Sequence, residues 1–225
     1  MNYGIYNYFL NGKPTGISEN FNVEILPDGS IVTISDRNTS IYGTKIYLNS
    51  EQTGKKFKRF DIQITNENNA ATADVHAFYE FSGDEFRFIR RVNNRTIDDE
   101  IFKLPADCVV FPLMRVFQGK TILQVAENAK LTTVLVPSIE NPNDAENLLK
   151  PTFDKRRAEF VGREFIGFNQ EISVTFEADE YKYFSKHYDE NSRFWIADDG
   201  LLVAYRFAQS ADKIWEVFLT TDEHK

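Results

Sequence analysis

Few residues in this sequence have the type and spacing that enzyme chemistry requires. The histidines His76, His187 and His224 lie far apart and form no HxH, HxxxH or HExxH pair that would place two imidazoles on one metal ion. No GxSxG, Walker A or GxGxxG motif is present. We therefore expect no metal site and no cofactor.

The carboxylates are grouped at predicted turns, and one basic residue stands apart. Asp98 to Glu100 and the pair Asp198-Asp199 lie where acidic side chains commonly hydrogen-bond to the backbone, which favours a structural role over a catalytic dyad. Arg115 interrupts the apolar run DCVVFPLMRVF, residues 107–117. If it points inward, its guanidinium can pair with a carboxylate or a phosphate head. Of the two orientations, we favour the one in which Arg115 reaches solvent.

The elements that must position these residues are predicted to be β-strands. The tail, residues 194–219, reads FWIADDGLLVAYRFAQSADKIWEVFL, in which period-two apolar runs are separated by Asp-Asp-Gly and a second turn. Similar hairpins are predicted around Pro27-Asp28-Gly29 and around Ser82-Gly83-Asp84. A further hairpin is expected where Ile172, Val174 and Phe176 lead through a turn at 178–180 into 181–187. The chain therefore reads as mainly antiparallel β.

Helical signals are sparse. Asn141-Pro142 followed by Asp144 and Glu146 predicts one short helix over 141–150, because it combines an N-cap, an early proline and acids at the positive end of the dipole. The apolar run 107–117 lacks clean alternation and contains Pro112, so it remains open between a buried strand and a short helix or turn.

Composition limits the classes of protein and of partner. No linker divides the 225 residues, so we expect a single domain over 1–225. A net charge of -8 with interspersed signs disfavours nucleic acid as a partner. The single cysteine, Cys108, excludes an internal disulfide. The sequence contains no apolar run long enough for a membrane span and no recognisable signal segment, so we expect a cytoplasmic protein without stable membrane insertion.

The aromatic residues exceed what one face of a sheet needs. The chain has 20 Phe and 10 Tyr, and rings occur on both alternation faces of several strands. A curved sheet covered by one or two short helices would leave part of its concave face as an apolar groove. A closed sandwich of two sheets is the alternative.

Three stretches of the sequence resemble a known superfold. They are LNGKPTG near the start, LPADCVVFPLMRVFQGKTI in the middle and FWIADDGLLVAYRF near the end. Together they are similar to the bacterial half-barrel proteins that include LolA, LolB and the glycolipid-binding families. The resemblance implies a strongly curved antiparallel sheet, a half-barrel, wrapped around the central segment and the 141–150 helix. It also implies that Met114 and Phe117 face the sheet across a hydrophobic groove.

From the pattern and the resemblance together we predict a soluble binding protein that holds a lipid-like or other apolar small molecule in this groove. The residues expected to line it are Tyr79, Phe111, Met114, Arg115, Phe117, Trp195 and Tyr205. One alternative is a cofactor-independent cyclase or isomerase in the same groove, with tyrosine, arginine or His76 moving protons. Another is an interaction module whose groove is covered by a strand or helix of a protein partner.

Overall fold

One large sheet wraps around one helix in the part of the chain that the structure describes. The structure is a computed structural model, and it describes residues 2–39, 43–66, 74–128, 131–141, 144–167, 175–210 and 212–220. Within these ranges fifteen strands form a single sheet that does not close into a barrel. The sequence prediction of a mainly β, antiparallel, strongly curved architecture is confirmed.

The strands and the helix follow one another along the chain with short connections. Their bounds are β1 Tyr3–Leu10, β2 Lys13–Ile25, β3 Ile31–Thr39, β4 Thr44–Thr53, β5 Lys56–Asn66, β6 Val75–Ser82, β7 Glu85–Val92, β8 Arg95–Lys103, β9 Val109–Val110, α1 Arg115–Ala126, β10 Thr132–Pro137, β11 Pro151–Gly167, β12 Thr175–Phe184, β13 Arg193–Ile196, β14 Leu202–Ser210 and β15 Lys213–Thr220.

The turn chemistry of the sequence explains the hairpins. Gly29, Gly83 and Gly200 each occupy a positive φ between two paired strands, a conformation that glycine adopts without steric cost. They join β2 to β3, β6 to β7 and β13 to β14, so these predicted hairpins and the predicted meander of the tail are confirmed.

The strand order combines two meanders that meet in the middle of the sheet. Strands β1 to β8 form one half in sequence order, and β15 back to β9 form the other. The halves join where β1 pairs with β15, with Ile5 opposite Thr220. The two edge strands, β8 and β9, are consecutive in the chain, and β9 is parallel to β10 whereas the other pairs are antiparallel.

Helix α1 lies inside the curve of the sheet. It packs against β11, β13 and β14 of one half. It also contacts the other half, because Phe117 packs against Phe57 of β5 with ring centroids 5.6 Å apart. A single 12-residue helix can reach strands so far apart in the sheet only if the sheet wraps around it.

The helix of the structure does not lie where the sequence predicted a helix. The prediction was 141–150, whereas α1 spans Arg115–Ala126. The run 107–117 forms the short strand β9, a turn and the first residues of α1, so it contains each of the elements considered for it. Residues 145–149 form turns and not the predicted helix, and Pro142 lies outside the described residues. There Asp144 accepts hydrogen bonds from the backbone N–H groups of Glu146 and Asn147, which stabilises a turn.

The predicted turn at 178–180 was also wrong. Strand β12 continues through Ala178, Asp179 and Glu180, which pair with β11 and, in part, with β13. Ala178 is buried against neighbouring strands, so the local Ala-Asp-Glu signal is overridden by pairing on both sides. Ile172 and Val174 lie outside the described residues.

Close contact between α1 and the β13–β14 turn generates a stability prediction. A Cβ at Gly119 would lie 2.3 Å from the carbonyl oxygen of Gly200 and 2.7 Å from the amide nitrogen of Leu202. Alanine favours a helix over glycine by about 1 kcal/mol, but here the backbone would have to separate. We expect Gly119→Ala to lower the free energy of unfolding by about 1–3 kcal/mol in urea titrations.

Gly162→Ala is the matched control, because a Cβ at Gly162 meets no atom within 4 Å and its φ is not positive. It is expected to change stability by less than about 0.5 kcal/mol. A Gly119→Ala protein as stable as the wild type would contradict direct packing of the helix on this turn.

Candidate functional site

A buried carboxylate, Glu19, organises the polar centre of the molecule. It lies on β2 between the buried residues Ile17 and Phe21, so it faces the core, and it has no exposed surface. Arg37, directly opposite on β3, donates from Nε and Nη2 to its Oε2 at 2.9 and 2.6 Å. The hydroxyl of Tyr8 donates to the same oxygen at 3.2 Å.

Glu19 also caps helix α1. Its Oε1 accepts the backbone N–H of Arg115, and that of Val116 at 3.4 Å. The local sequence supplies no cap, because the N-cap position is Met114 and the first turn contains no acid. A carboxylate at this end is stabilised by the helix dipole and satisfies donors that otherwise have no partner. The start of α1 is therefore fixed by a residue 96 positions away.

Arg115, the first residue of α1, is surrounded by hydroxyl and amide groups. Its guanidinium donates to the hydroxyls of Tyr8 at 3.2 Å, Tyr205 at 3.2 Å and Tyr188 at 3.3 Å, and to the side-chain oxygen of Gln118. Its Cζ lies 4.7 Å from the ring centroid of Tyr205. The side chain therefore points into the molecule and not into bulk solvent, contrary to the orientation that the sequence favoured.

We call this group the Arg115 cluster. Its members are Tyr8, Glu19, Arg37, Arg115, Gln118, Tyr188 and Tyr205.

The cluster shifts the tyrosine pKa values in opposite directions. Burial raises the pKa of Tyr205 well above its usual range, although Arg115 opposes that shift. Burial also raises the pKa of Tyr188, but the charge and hydrogen bond of Arg115, with smaller contributions from Gln118 and Arg156, outweigh it, so the pKa is lowered below its ordinary value. Tyr188 is thus the hydroxyl in the cluster that loses its proton most easily.

Two separate cavities are lined in part by the segment that leads into α1. The first, which we call the helix cavity, has a volume of about 270 Å³ and is lined by Phe57, Val110, Phe117 and Leu123, with Lys55 and Glu127 at its rim. The second, the arginine cavity, has a volume of about 290 Å³ and is lined by Arg37, Arg115, Arg156, Lys186, Tyr188 and Phe111, among others.

The structure brings together some of the predicted groove residues. Arg115 and Tyr205 are in contact, Phe111 lines the arginine cavity and Phe117 lines the helix cavity. Met114 is completely buried at the start of α1.

Two of the predicted residues lie elsewhere. Tyr79 is buried in the core, where its ring stacks on Phe60 at 4.4 Å and its hydroxyl donates to the carbonyl of Leu149 at 2.5 Å. Trp195 packs with Ala178, Val203 and Ala204 in a separate cluster and donates to Glu164 at 2.7 Å. Because Phe194 and Ile196 point into the core, Trp195 occupies the opposite face of the sheet.

Of the side chains considered for proton transfer, tyrosines and an arginine meet in the Arg115 cluster, whereas the histidines lie apart from one another. His76 shares a face of β6 with Phe78, where Nε2 lies 3.3 Å from Oδ1 of Asp61, and it lines neither cavity. His187 lines the arginine cavity. His224 lies outside the described residues.

Burial raises the pKa of the Cys108 thiol to about 11. The described ranges contain no group of three or more metal-ligating side chains.

Sequence reasoning missed Glu19, Arg37 and Arg156, although a signal for the first two was present. With Ile25 opposite Ile31 across the Pro27-Asp28-Gly29 turn, the hairpin register places Glu19 opposite Arg37. Glu19 also takes the place of an apolar residue in the alternation that includes Ile17 and Phe21. A charged pair at a core-facing position is a stronger pointer than either residue alone.

The buried ion pair generates a stability prediction. Glu19→Gln keeps the side-chain size but leaves Arg37 buried without its counter-charge, so we expect a loss of about 3–5 kcal/mol in the free energy of unfolding. Asp99→Asn is the matched control, because Asp99 also accepts two hydrogen bonds from one arginine, Arg87, but both side chains are about half exposed. It is expected to cost less than about 1 kcal/mol. Equal losses in the two variants would contradict the central role of Glu19.

The lowered pKa of Tyr188 generates a prediction for pH dependence. A group whose pKa is lower in the folded state adds stability as pH rises through the folded value toward the unfolded one. The stability of the wild type relative to Tyr188→Phe should therefore increase from neutral pH toward pH of about 10. Tyr3→Phe, at an exposed position, controls for tyrosine ionisation in the unfolded chain. A difference that stays constant with pH would contradict this assignment.

Comparison with known proteins shows a shared fold. The described residues contain no helix long and apolar enough to cross a bilayer. No protein-family model and no curated protein sequence matches the chain. The resemblance to the LolA, LolB and glycolipid-binding families therefore remains an expectation.

Among solved structures, the chain is similar to a beta-barrel-like protein of the domain of unknown function DUF1849 from Brucella abortus. The TM-score is 0.56 at 10% sequence identity, over 98% of this chain and 95% of that one. The chain thus shares the fold of a barrel-like protein whose own function is unknown.

Proposed function

We propose that this protein is a binding protein that holds a small apolar molecule in the helix cavity. The observation that carries the proposal is the unfilled space of about 270 Å³ between α1 and the sheet, with Phe57, Val110, Phe117 and Leu123 in its wall. Ligand sites are typically concave and mostly apolar with a few polar groups.

The chemistry of the walls favours an apolar body with a polar edge. Phe117 and Phe57 are in ring contact and supply an aromatic surface. The ion pair between Lys55 and Glu127 joins the β4–β5 turn to the end of α1 at the rim. A ligand would therefore bury its apolar part against the rings and leave any polar group near the charged rim.

The volume limits the size of the ligand. An apolar cavity on the order of 150 Å³ holds benzene, so the helix cavity suits a molecule of one or two rings or a short chain. A smaller space of about 180 Å³ shares Gln52, Phe117 and Lys120 with it and offers further room beside α1. A complete two-chain lipid would need the helix to move away from the sheet.

A charge placed in the wall tests the proposal. 1-Naphthylamine, a neutral fluorescent dye of two fused rings, should bind the wild type saturably with a blue shift of its emission. Leu123→Glu puts a carboxylate in the cavity wall and should weaken binding at least about tenfold, because an unpaired charge resists burial. Leu131→Glu is the matched control, since Leu131 is 63% exposed, does not line the cavity and should leave binding unchanged.

Native mass spectrometry of both variants and of the wild type should be run beside the dye titration. A small-molecule adduct that persists in Leu131→Glu and disappears in folded Leu123→Glu would support the helix cavity as its site. Extraction of that adduct would then identify the ligand. Dye binding that is unsaturable, or equal in both variants, would refute the helix cavity as the site.

A further inference from the structure

The arginine cavity differs in chemistry from the helix cavity. Three guanidinium groups converge on it: Arg37 from β3, Arg115 from α1 and Arg156 from β11. Lys186 and His187, from the loop that follows β12, lie at its mouth and are exposed. These residues come from separate parts of the chain, so the convergence is a product of the fold.

The cationic side chains are not fully neutralised by carboxylates. Glu19 pairs with Arg37, and Asp154 pairs with Arg156 at 3.1 Å. Glu140, at the mouth, pairs with Lys186. In the described part of the chain, no carboxylate accepts a hydrogen bond from the guanidinium of Arg115. The cavity therefore carries one positive charge in excess, at Arg115.

Hydrogen-bonding capacity also remains at Arg156. The side chain is 96% buried, with Nη1 bound to the Tyr183 hydroxyl at 2.9 Å and Nη2 to Asp154. Its Nε is buried, and among the described residues no acceptor reaches it. A buried donor without a partner costs on the order of 1–3 kcal/mol, so such groups commonly serve a bound species.

The remaining walls are apolar. Phe111, Leu113 and Val136 are buried, whereas Ile139 at the mouth is 39% exposed. A ligand with an acidic head and an apolar body would match both parts of the lining. The volume of about 290 Å³ would hold such a head and a short body.

We propose that the arginine cavity is a binding site for a compact oxyanion, a carboxylate or a phosphate, placed between Arg115 and Arg156. The Nε–H of Arg156 has no acceptor among the described residues, and the charge of Arg115 would attract the oxyanion toward it. The anion would neutralise the excess charge of Arg115. The site is separate from the helix cavity, so this inference does not depend on the function proposed above.

Titration calorimetry with four probes tests the site and identifies the source of the anion. The probes are sodium octanoate, sodium acetate, inorganic phosphate and the neutral octanol. Binding of octanoate, but not of acetate or phosphate, would indicate the head of an amphiphile, whereas similar binding of the small anions would indicate a free anion. In either case we expect one site per chain, affinity that falls as salt increases, and no comparable binding of octanol.

Substitutions assign the binding to this cavity. Arg115→Lys keeps the charge but loses the guanidinium contacts to the tyrosine hydroxyls that position it, so we expect affinity to fall about tenfold or more. Lys186→Ala, at the exposed mouth, should weaken binding by about twofold to fivefold without threatening the fold. Lys155→Ala is the matched control, because Lys155 is exposed on the neighbouring part of β11, does not line the cavity and loses the same charge. Circular dichroism confirms that each variant is folded.

Absence of saturable binding by every anion, or octanol binding as tightly as octanoate, would refute an anion site. Affinities that are unchanged in both Arg115→Lys and Lys186→Ala would place any binding elsewhere. Leu123→Glu should bind the anion like the wild type, so failure in the helix cavity and failure here are distinguishable.

Discussion

The burial of Glu19 constrains the rest of the structure. A carboxylate without exposed surface is tolerated only when charged and hydrogen-bonded partners surround it, and here they come from β1, β3 and the start of α1. Leu113 has a φ of +67°, and its carbonyl accepts a hydrogen bond from Arg37. The residues before the helix are therefore held by the partner of Glu19. The pair of Glu19 and Arg37 thereby fixes where the chain enters the interior of the sheet.

The remaining contacts of α1 explain why two spaces of different character are left beside it. The middle of the helix packs directly on the β13–β14 turn through Gly119, and its end is joined to the β4–β5 turn by Lys55 and Glu127. A helix held at three points cannot move to fill the sheet's interior completely. One space has a wall of phenylalanine, valine and leucine with charged residues at its rim, whereas in the other, arginine and tyrosine side chains lie beside apolar ones.

The parts of the fold that depend on local chemistry were predictable, and those that depend on distant partners were not. Turns with glycine at positive φ identified the hairpins around Gly29, Gly83 and Gly200. Helix α1 escaped prediction because its sequence is a poor helix former, with Gly119 and β-branched residues inside it, and because its cap is supplied by β2. Conversely, the capping signals at 141–150 did not produce a helix. Leu148 and Leu149 are buried in the core, and distant side chains, Arg90 and Tyr79, donate to backbone carbonyls of this segment.

The same distinction applies to the candidate site. Arg115 drew attention as the single charge in an apolar run, but its orientation depends on Tyr8, Tyr188 and Tyr205, which come from three other elements. Trp195 was placed on the wrong side of that grouping because alternation shows that two neighbours differ in face, not which face is the inner one. In contrast, the pairing register of the β2–β3 hairpin can be counted from its turn, and it would have placed Glu19 opposite Arg37.

The pairing of β1 with β15 has a consequence for how the chain folds. Each half of the sheet can grow by adding hairpins between neighbours in sequence, but the seam between the halves joins residues more than 200 positions apart, such as Ile5 and Thr220. Closing so long a loop costs conformational entropy before any contact compensates it, and such pairing slows folding. Tyr8 and Glu19 lie in one half and Tyr205 in the other. The Arg115 cluster is therefore completed only when the seam forms, and a chain that has not reached that step has neither cavity.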